Sequence, residues 1–113
     1  RQMRIAGGGG ARDAERSFSA ATRSHFVLDC VRGLHRLHTN APSPVLHCDL
    51  KSLNLLLSEE WVLKLADFGE SSFVAEATGH LPGCTPNWSA PEVLRNEQFT
   101  KAADIFSLAM CVW

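Results

Sequence analysis

Two apolar rhythms run along this chain, and the switches between them divide it. Between residues 24 and 38, Val27, Cys30, Val31, Leu34, Leu37 and His38 recur at spacings of three and four. That spacing lays one apolar face along a helix, and Ser24 is placed to cap its start. Thr39-Asn40-Ala41-Pro42-Ser43-Pro44 ends it, because each proline disfavours helix at the residue before it. Shorter apolar runs follow. Val45-Leu46 predicts a brief strand, and Leu55-Leu56-Leu57 and Val62-Leu63-Lys64-Leu65 predict two more. The last two are separated by Ser58-Glu59-Glu60-Trp61 and read as a hairpin. Ser71 to Gly83 is polar and rich in small residues, which predicts a mobile loop. Pro91 suits the first turn of a short helix through Leu94. Thr100 can cap a final helix on which Ala103, Ile105, Phe106, Leu108, Ala109 and Cys111 leave few polar sides, the pattern of a buried helix.

Ahead of these elements, residues 1 to 16 are rich in Arg, Ala and Gly, with Gly7 to Gly10 in a row. Four glycines have much backbone entropy to lose, so this stretch reads as a flexible segment. It lacks both the G-x-G-x-x-G spacing and the following Val or Lys of a phosphate-binding loop. Residues 17 to 113 are left as one partial domain.

Composition narrows the classes. Of 113 residues, 45% are hydrophobic and 20% charged, an ordinary soluble balance. Eleven basic against twelve acidic side chains give a formal charge of −1, which points away from nucleic acid as a partner. No apolar run reaches the roughly 18 residues of a membrane span. The start at Arg1 resembles no signal or transit peptide. With the apolar ending Ala109-Met110-Cys111-Val112-Trp113, the chain reads as cut from something longer. Cys30, Cys48, Cys84 and Cys111 form no C-x-x-C pair, so they read as reduced thiols in a cytosolic setting and not as a zinc site. Asn87-Trp88-Ser89 matches a glycosylation sequon and reads as accidental there.

The candidate chemistry lies in two segments. His47-Cys48-Asp49-Leu50-Lys51-Ser52-Leu53-Asn54 precedes the hairpin, and Asp67-Phe68-Gly69 follows it. A hairpin brings its ends together, so both segments can converge on one ligand. Singly, Asp49, Lys51 and Asn54 could be ordinary turn residues. Together with Asp67 they supply a proton acceptor, a cation and two oxygen ligands for magnesium, the set that phosphoryl transfer from ATP requires. Ala90-Pro91-Glu92 follows as a third ordered motif.

With these motifs, residues 20 to 113 resemble the C-terminal lobe of a eukaryotic protein kinase. Asp49-Leu50-Lys51-Ser52, with Gly83-Cys84-Thr85-Pro86-Asn87-Trp88-Ser89, looks most like the tyrosine-kinase-like group of Ser/Thr kinases. Lys51-Ser52-Leu53 stands where tyrosine kinases usually carry Ala-Ala-Arg, so the resemblance implies, through Lys51, a preference for Ser/Thr substrates. The resemblance implies an α+β, mainly helical lobe with a small hairpin, truncated at both ends. It implies ATP and Mg²⁺ as cofactors and a protein Ser/Thr hydroxyl as acceptor. It also implies a cytoplasmic setting, either free or as the cytosolic part of a membrane protein. Asp49 would accept or orient the substrate hydroxyl proton, and Lys51 would neutralise the transferring phosphate. Asn54 and Asp67 would hold magnesium, and Leu56 would sit under the adenine ring, a core position as well. His47 and Phe68 would stack in a structural spine. Thr85 would bond towards Asp49 and Lys51 in the substrate-docking segment. Asp104 would anchor the catalytic loop backbone, where otherwise it is a plain first-turn helix acid. Glu92 would pair with an arginine beyond this chain.

Two departures from the family pattern stand out. Cys48 replaces the arginine that usually precedes the catalytic aspartate and grips a phosphorylated activation loop. As a thiol it could be redox-sensitive, a reading that the neighbouring Asp49 opposes by raising the thiol pKa. In addition, no glycine-rich nucleotide loop, Val-Ala-Ile-Lys strand or partner glutamate helix is present. A pseudokinase or scaffold module, binding nucleotide or partners without turnover, is the alternative at this point.

Overall fold

The computed structural model describes residues 19–73 and 85–113. Helix α1 spans Ala20–His38. It starts earlier than the Ser24 cap would set it, because Ser19 takes that role. The Ser19 hydroxyl oxygen accepts from Thr22 N at 3.1 Å, and the two alanines that follow are the strongest helix formers. Ser24 instead donates its hydroxyl to Ala20 O one turn back. The buried stripe runs through Phe26, Cys30, Leu34 and His38, four residues apart, and it leaves Val31 exposed. Thr39 closes the helix, its Oγ1 donating to His35 O at 2.7 Å.

Strand β1 (Val45–Leu46) pairs antiparallel with β4 (Ser72–Phe73). This corrects the expectation that everything from Ser71 to Gly83 is mobile: its first residues are strand. The pairing is made by backbone groups, which side-chain polarity does not disclose. The rest of that stretch, like the glycine-rich segment 1 to 16, lies outside the described residues.

β2 (Leu55–Leu57) and β3 (Leu63–Leu65) form the expected hairpin, with Leu55 opposite Leu65 and Leu57 opposite Leu63. Ala66 N donates to Asn54 O at 2.8 Å and carries the ladder to the edge of both candidate segments. Leu55 and Leu57 point inward, so the two-residue period turns Leu56 outward. Its 40% exposure corrects the reading of Leu56 as a core position.

The hairpin lies along α1 at matched intervals. Asp29 Oδ2 accepts from Leu63 N at 3.1 Å. One turn on, Gly33 lets Leu65 approach; a Cβ there would stand 3.2 Å from Leu65 Cγ. One helical turn and two strand residues both rise roughly 6 Å, so the two elements stay in step. At the hairpin turn, the Trp61 ring stacks on Phe26.

Helix α2 (Pro91–Leu94) starts on its proline as expected. Helix α3 (Lys101–Val112) has Thr100 at its N-cap position, but the Thr100 side chain makes no capping bond. Nor is α3 buried all round. Ala103, Asp104, Ser107 and Leu108 are covered, whereas Ile105 is 58% exposed and Phe106 is also exposed. Among the described residues, α3 is packed from one side only.

Two apolar clusters result. One joins α1, the hairpin and α3 through Phe26, Cys30, Leu34, Leu50, Leu55, Leu57, Leu63 and Leu108. The other gathers Leu46, Cys48, Ala90, Val93, Phe99 and Ala103. The described residues thus make an α+β fold of three helices and two small antiparallel sheets. Among them, no helix is long and apolar enough to cross a membrane.

Candidate active site

The loop from His47 to Asn54 is fastened from beneath by one carboxylate. Asp104, in the first turn of α3, is fully buried. Its Oδ2 accepts from His47 N at 2.8 Å and its Oδ1 from Cys48 N at 3.0 Å. Two successive amides can aim at one carboxylate here because Cys48 is left-handed, with φ 68°. That conformation is uncommon for a residue other than glycine, and the paired bonds hold it. His38 at the end of α1 supplies a third contact, its Nε2 lying 2.8 Å from Asp104 Oδ2.

His47 ties the two candidate segments together. Its side chain is fully buried. Nε2 donates to Ala66 O at 3.0 Å, just before Asp67, and Nδ1 accepts from Asp49 N at 3.4 Å. This makes it a hydrogen-bonded core residue with the ring proton on Nε2. The His47 and Phe68 rings lie with centroids 5.2 Å apart, and the far side of Phe68 is open, leaving it 50% exposed.

Beyond that turn the Asp49 carboxylate sits at the centre of the polar groups, only 8% exposed. Lys51 Nζ donates to its Oδ2 at 2.6 Å, and Thr85 Oγ1 donates to its Oδ1 at 2.9 Å. Lys51 Nζ also reaches Thr85 Oγ1 at 3.4 Å. Asn54 Nδ2 donates to Asp49 O at 2.8 Å, which orients its amide. A carboxylate, an ammonium group and a hydroxyl from two distant segments therefore share one hydrogen-bonded triangle. Asp67, next to the Ala66 whose N–H donates to Asn54 O, is exposed in a left-handed turn, φ 62°, with its Oδ1 accepting from Gly69 N at 3.4 Å.

The donor set fits magnesium. With its Nδ2 committed to Asp49 O, Asn54 keeps its amide oxygen available, and Asp67 offers a carboxylate in the open. Magnesium takes hard oxygen ligands and usually keeps waters and substrate phosphates as the remainder. Among the described residues, no cluster of three His, Cys, Asp or Glu could hold a metal ion by itself.

Leu56 is carried on β2 with its side chain outward. Glu92 is half-buried in the first turn of α2, its carbonyl accepting from Glu97 N at 2.9 Å. The Cys48 thiol is buried in the second apolar cluster, and its pKa is pushed up to about 12. Burial is the largest cause, followed by the negative charge of Asp104 and, more weakly, of Glu70. Asp104 and Glu70 thus take the place of the expected Asp49 effect. A thiol this weakly acidic makes a poor redox sensor.

The protein kinase domain model matches residues 6–113. The chain belongs to the protein kinase domain family. As a kinase-domain chain it has relatives in several lineages. It is 44% identical over 92 residues to "Probable serine/threonine-protein kinase drkC" of Dictyostelium discoideum, covering 78% of this chain and 12% of that protein. To "Probable serine/threonine-protein kinase drkA" of the same organism it is 40% identical over 88 residues, 78% of this chain and 14% of that one. To "Serine/threonine-protein kinase CTR1" of Arabidopsis thaliana it is 37% identical over 93 residues, 80% of this chain and 11% of that one. The chain spans about one-seventh or less of the length of these relatives.

In this kinase-domain chain, three contributing residues escaped sequence reasoning. His38 registered only as one position of the α1 stripe. Asp29 is a polar residue on a helix with no motif around it. Ser107 interrupts the apolar pattern of α3, and that interruption, three residues after Asp104, was its one visible signal.

Proposed function

We propose that the chain is the phosphate-transfer half of a protein Ser/Thr kinase, which moves the ATP γ-phosphate to protein hydroxyls. The observation that carries this reading is the triangle of Asp49, Lys51 and Thr85. Asp49 would receive the acceptor hydroxyl and take or orient its proton. Lys51, already 2.6 Å from Asp49, sets a positive charge where the phosphoryl oxygens pass. Thr85 fixes the second carboxylate oxygen and ties the segment from Thr85 to Ser89, the proposed substrate-docking segment, to the base. Asn54 and Asp67 would hold magnesium, which when bound neutralises phosphate charge. Leu56, outward on β2, would meet the adenine from below. Ser/Thr preference rests on Lys51 and on the names of the relatives.

Cys48 supports a further part of the proposal. Buried among apolar side chains, it offers no cation to a phosphorylated activation loop, so activity should not depend on phosphate there. The sequence shows no nucleotide-binding loop of G-x-G-x-x-G spacing, and the chain is proposed to be inactive by itself.

The test uses the full-length protein. Asp49→Asn and Asp67→Asn should each lower phosphate transfer roughly 100-fold or more, and Asp67→Asn should also weaken Mg-ATP binding. Wild-type turnover in both variants would overturn the proposal. Nucleotide binding by the wild type without any transfer would favour a scaffold instead.

A further inference from the structure

The docking segment is held by α3 as well as by Asp49. The Ser107 hydroxyl is buried and lies 2.7 Å from Trp88 O and 3.1 Å from Ala103 O. It has one proton to donate, and the shorter contact goes to Trp88. Backbone bonds brace the same short turn, Trp88 N donating to Thr85 O at 3.0 Å and Ser89 N to Pro86 O at 3.2 Å. Ser89 Oγ donates to Thr85 O at 2.9 Å, closing the turn on itself. Among the described residues, the segment from Thr85 to Ser89 is thus a small stiff unit tethered on two sides, with Lys51 Nζ also in reach of Thr85 Oγ1. One tether runs from Thr85 Oγ1 to Asp49. The other runs from Trp88 O to Ser107.

Ser107 lies three residues after Asp104, and residues so spaced share a helix face. Asp104 fixes the His47 and Cys48 amides, just before Asp49. Adjacent polar positions on one rigid helix therefore set both the height of the base and the height of the docking segment. An aliphatic side chain at 107 would fill the space but would leave the Trp88 carbonyl without this donor.

We infer that Ser107 is a positioning residue for the protein substrate: its hydrogen bond to Trp88 O sets the docking segment relative to Asp49. This rests on the kinase reading and adds the residue that aligns acceptor with base. Its signature separates it from a fold-stabilising role. Losing it should weaken use of the protein substrate and leave nucleotide binding alone, since its hydroxyl bonds to Trp88 O and Ala103 O and to neither Asn54 nor Asp67.

The test uses the full-length protein with Mg-ATP and dephosphorylated casein, comparing wild type, Ser107→Ala and Ser107→Thr. Ser107→Ala should raise the KM for casein by about three- to tenfold, the worth of one net hydrogen bond. Its KM for ATP should stay within twofold, and Ser107→Thr, which keeps the hydroxyl, should recover most of the loss. An unchanged casein KM, or equal rises in both KM values, would overturn the inference. Amide exchange supplies a readout that needs no turnover. Ser107→Ala should speed exchange at Trp88 and Ser89 and leave the hairpin from Leu55 to Leu65 unchanged. Uniform acceleration would mean a merely structural role. A wild type that binds Mg-ATP yet transfers nothing to any protein would overturn the kinase reading and this inference with it, whereas normal transfer with an indifferent Ser107→Ala would overturn the inference alone.

Discussion

His38 and Asp104 stand 66 positions apart in sequence and meet at 2.8 Å between buried side chains. Through this pair the end of α1 and the start of α3 close on the loop that carries Asp49. Asp104 receives three donors on two oxygens: His38 Nε2, His47 N and Cys48 N. Asparagine has one acceptor oxygen and cannot satisfy all three. Asp104→Asn should therefore cost about 1–3 kcal/mol for each donor left bare, and Asp104→Ala more. In a double-mutant cycle with His38→Ala, the two losses should sum to more than the double variant loses. Denaturant midpoints would measure this, and strict additivity would show that the contact carries no coupling.

Cys48 offers a second test. Its side chain shares a pocket with Leu46, Ala90, Val93, Phe99 and Ala103. Cys48→Ala should cost only about 1 kcal/mol, a small cavity. Cys48→Arg would push a guanidinium into that pocket and should cost on the order of 3 kcal/mol. Thermal unfolding of both variants would rank them, and an arginine variant as stable as wild type would refute the packing argument.

Alkaline pH should weaken the fold through two thiols. Burial pushes both Cys30 and Cys48 up to about 12 from an ordinary 9.0. Folded-state values above the unfolded ones favour the native state fully below pH 9 and lose that contribution as pH climbs towards 12. Thermal midpoints should therefore fall between pH 9 and 11, and replacing both cysteines with alanine should flatten that slope. Alkylation of the native protein at pH 8, mapped by mass spectrometry, should label the half-buried Cys111 well before Cys30 or Cys48.

Asp29 should matter for the hairpin. Asp29→Ala removes the acceptor for Leu63 N in a nearly buried place and should cost about 1–3 kcal/mol. Asp29→Asn keeps an acceptor oxygen and should lose less. The long contacts of Asp29 with His25 and Arg32, both 4.0 Å and with exposed partners, should add little. Loss of chemical stability in Asp29→Asn as large as in Asp29→Ala would assign the effect to charge instead.

How much of this was legible in the sequence depended on the kind of force. The helix stripe at Cys30, Leu34 and His38 and the hairpin were readable because apolar periodicity reports burial directly. Phe26 lies inside the predicted helix, but the apolar face read from Val27 and Val31 is turned away from it, and Val31 is in fact exposed. Strand β4 was invisible because Ser72 and Phe73 pair through their backbones. Leu56 and Ile105 are apolar and exposed, and hydropathy records what a residue prefers, not what covers it. At the site, the residues that motifs single out, Asp49, Lys51, Asn54 and Thr85, do come together. The supports behind them, His38, Asp29 and Ser107, belong to no short pattern, because each reaches its partner across the fold.

The two apolar clusters meet along the loop itself. Leu46 and Cys48 are rooted in one and Leu50 in the other, so Asp49 is strung between them like a bridge deck between two piers. Any slip of one pier against the other would be absorbed within these few residues. Asp49 would then register the relative seating of α1 and α2, although its own side-chain hydrogen bonds go to Lys51, Asn54 and Thr85. A substitution at Val93 or at Leu34, each buried in one of the two clusters, becomes a way to retune the proposed base without altering any group that hydrogen-bonds to it.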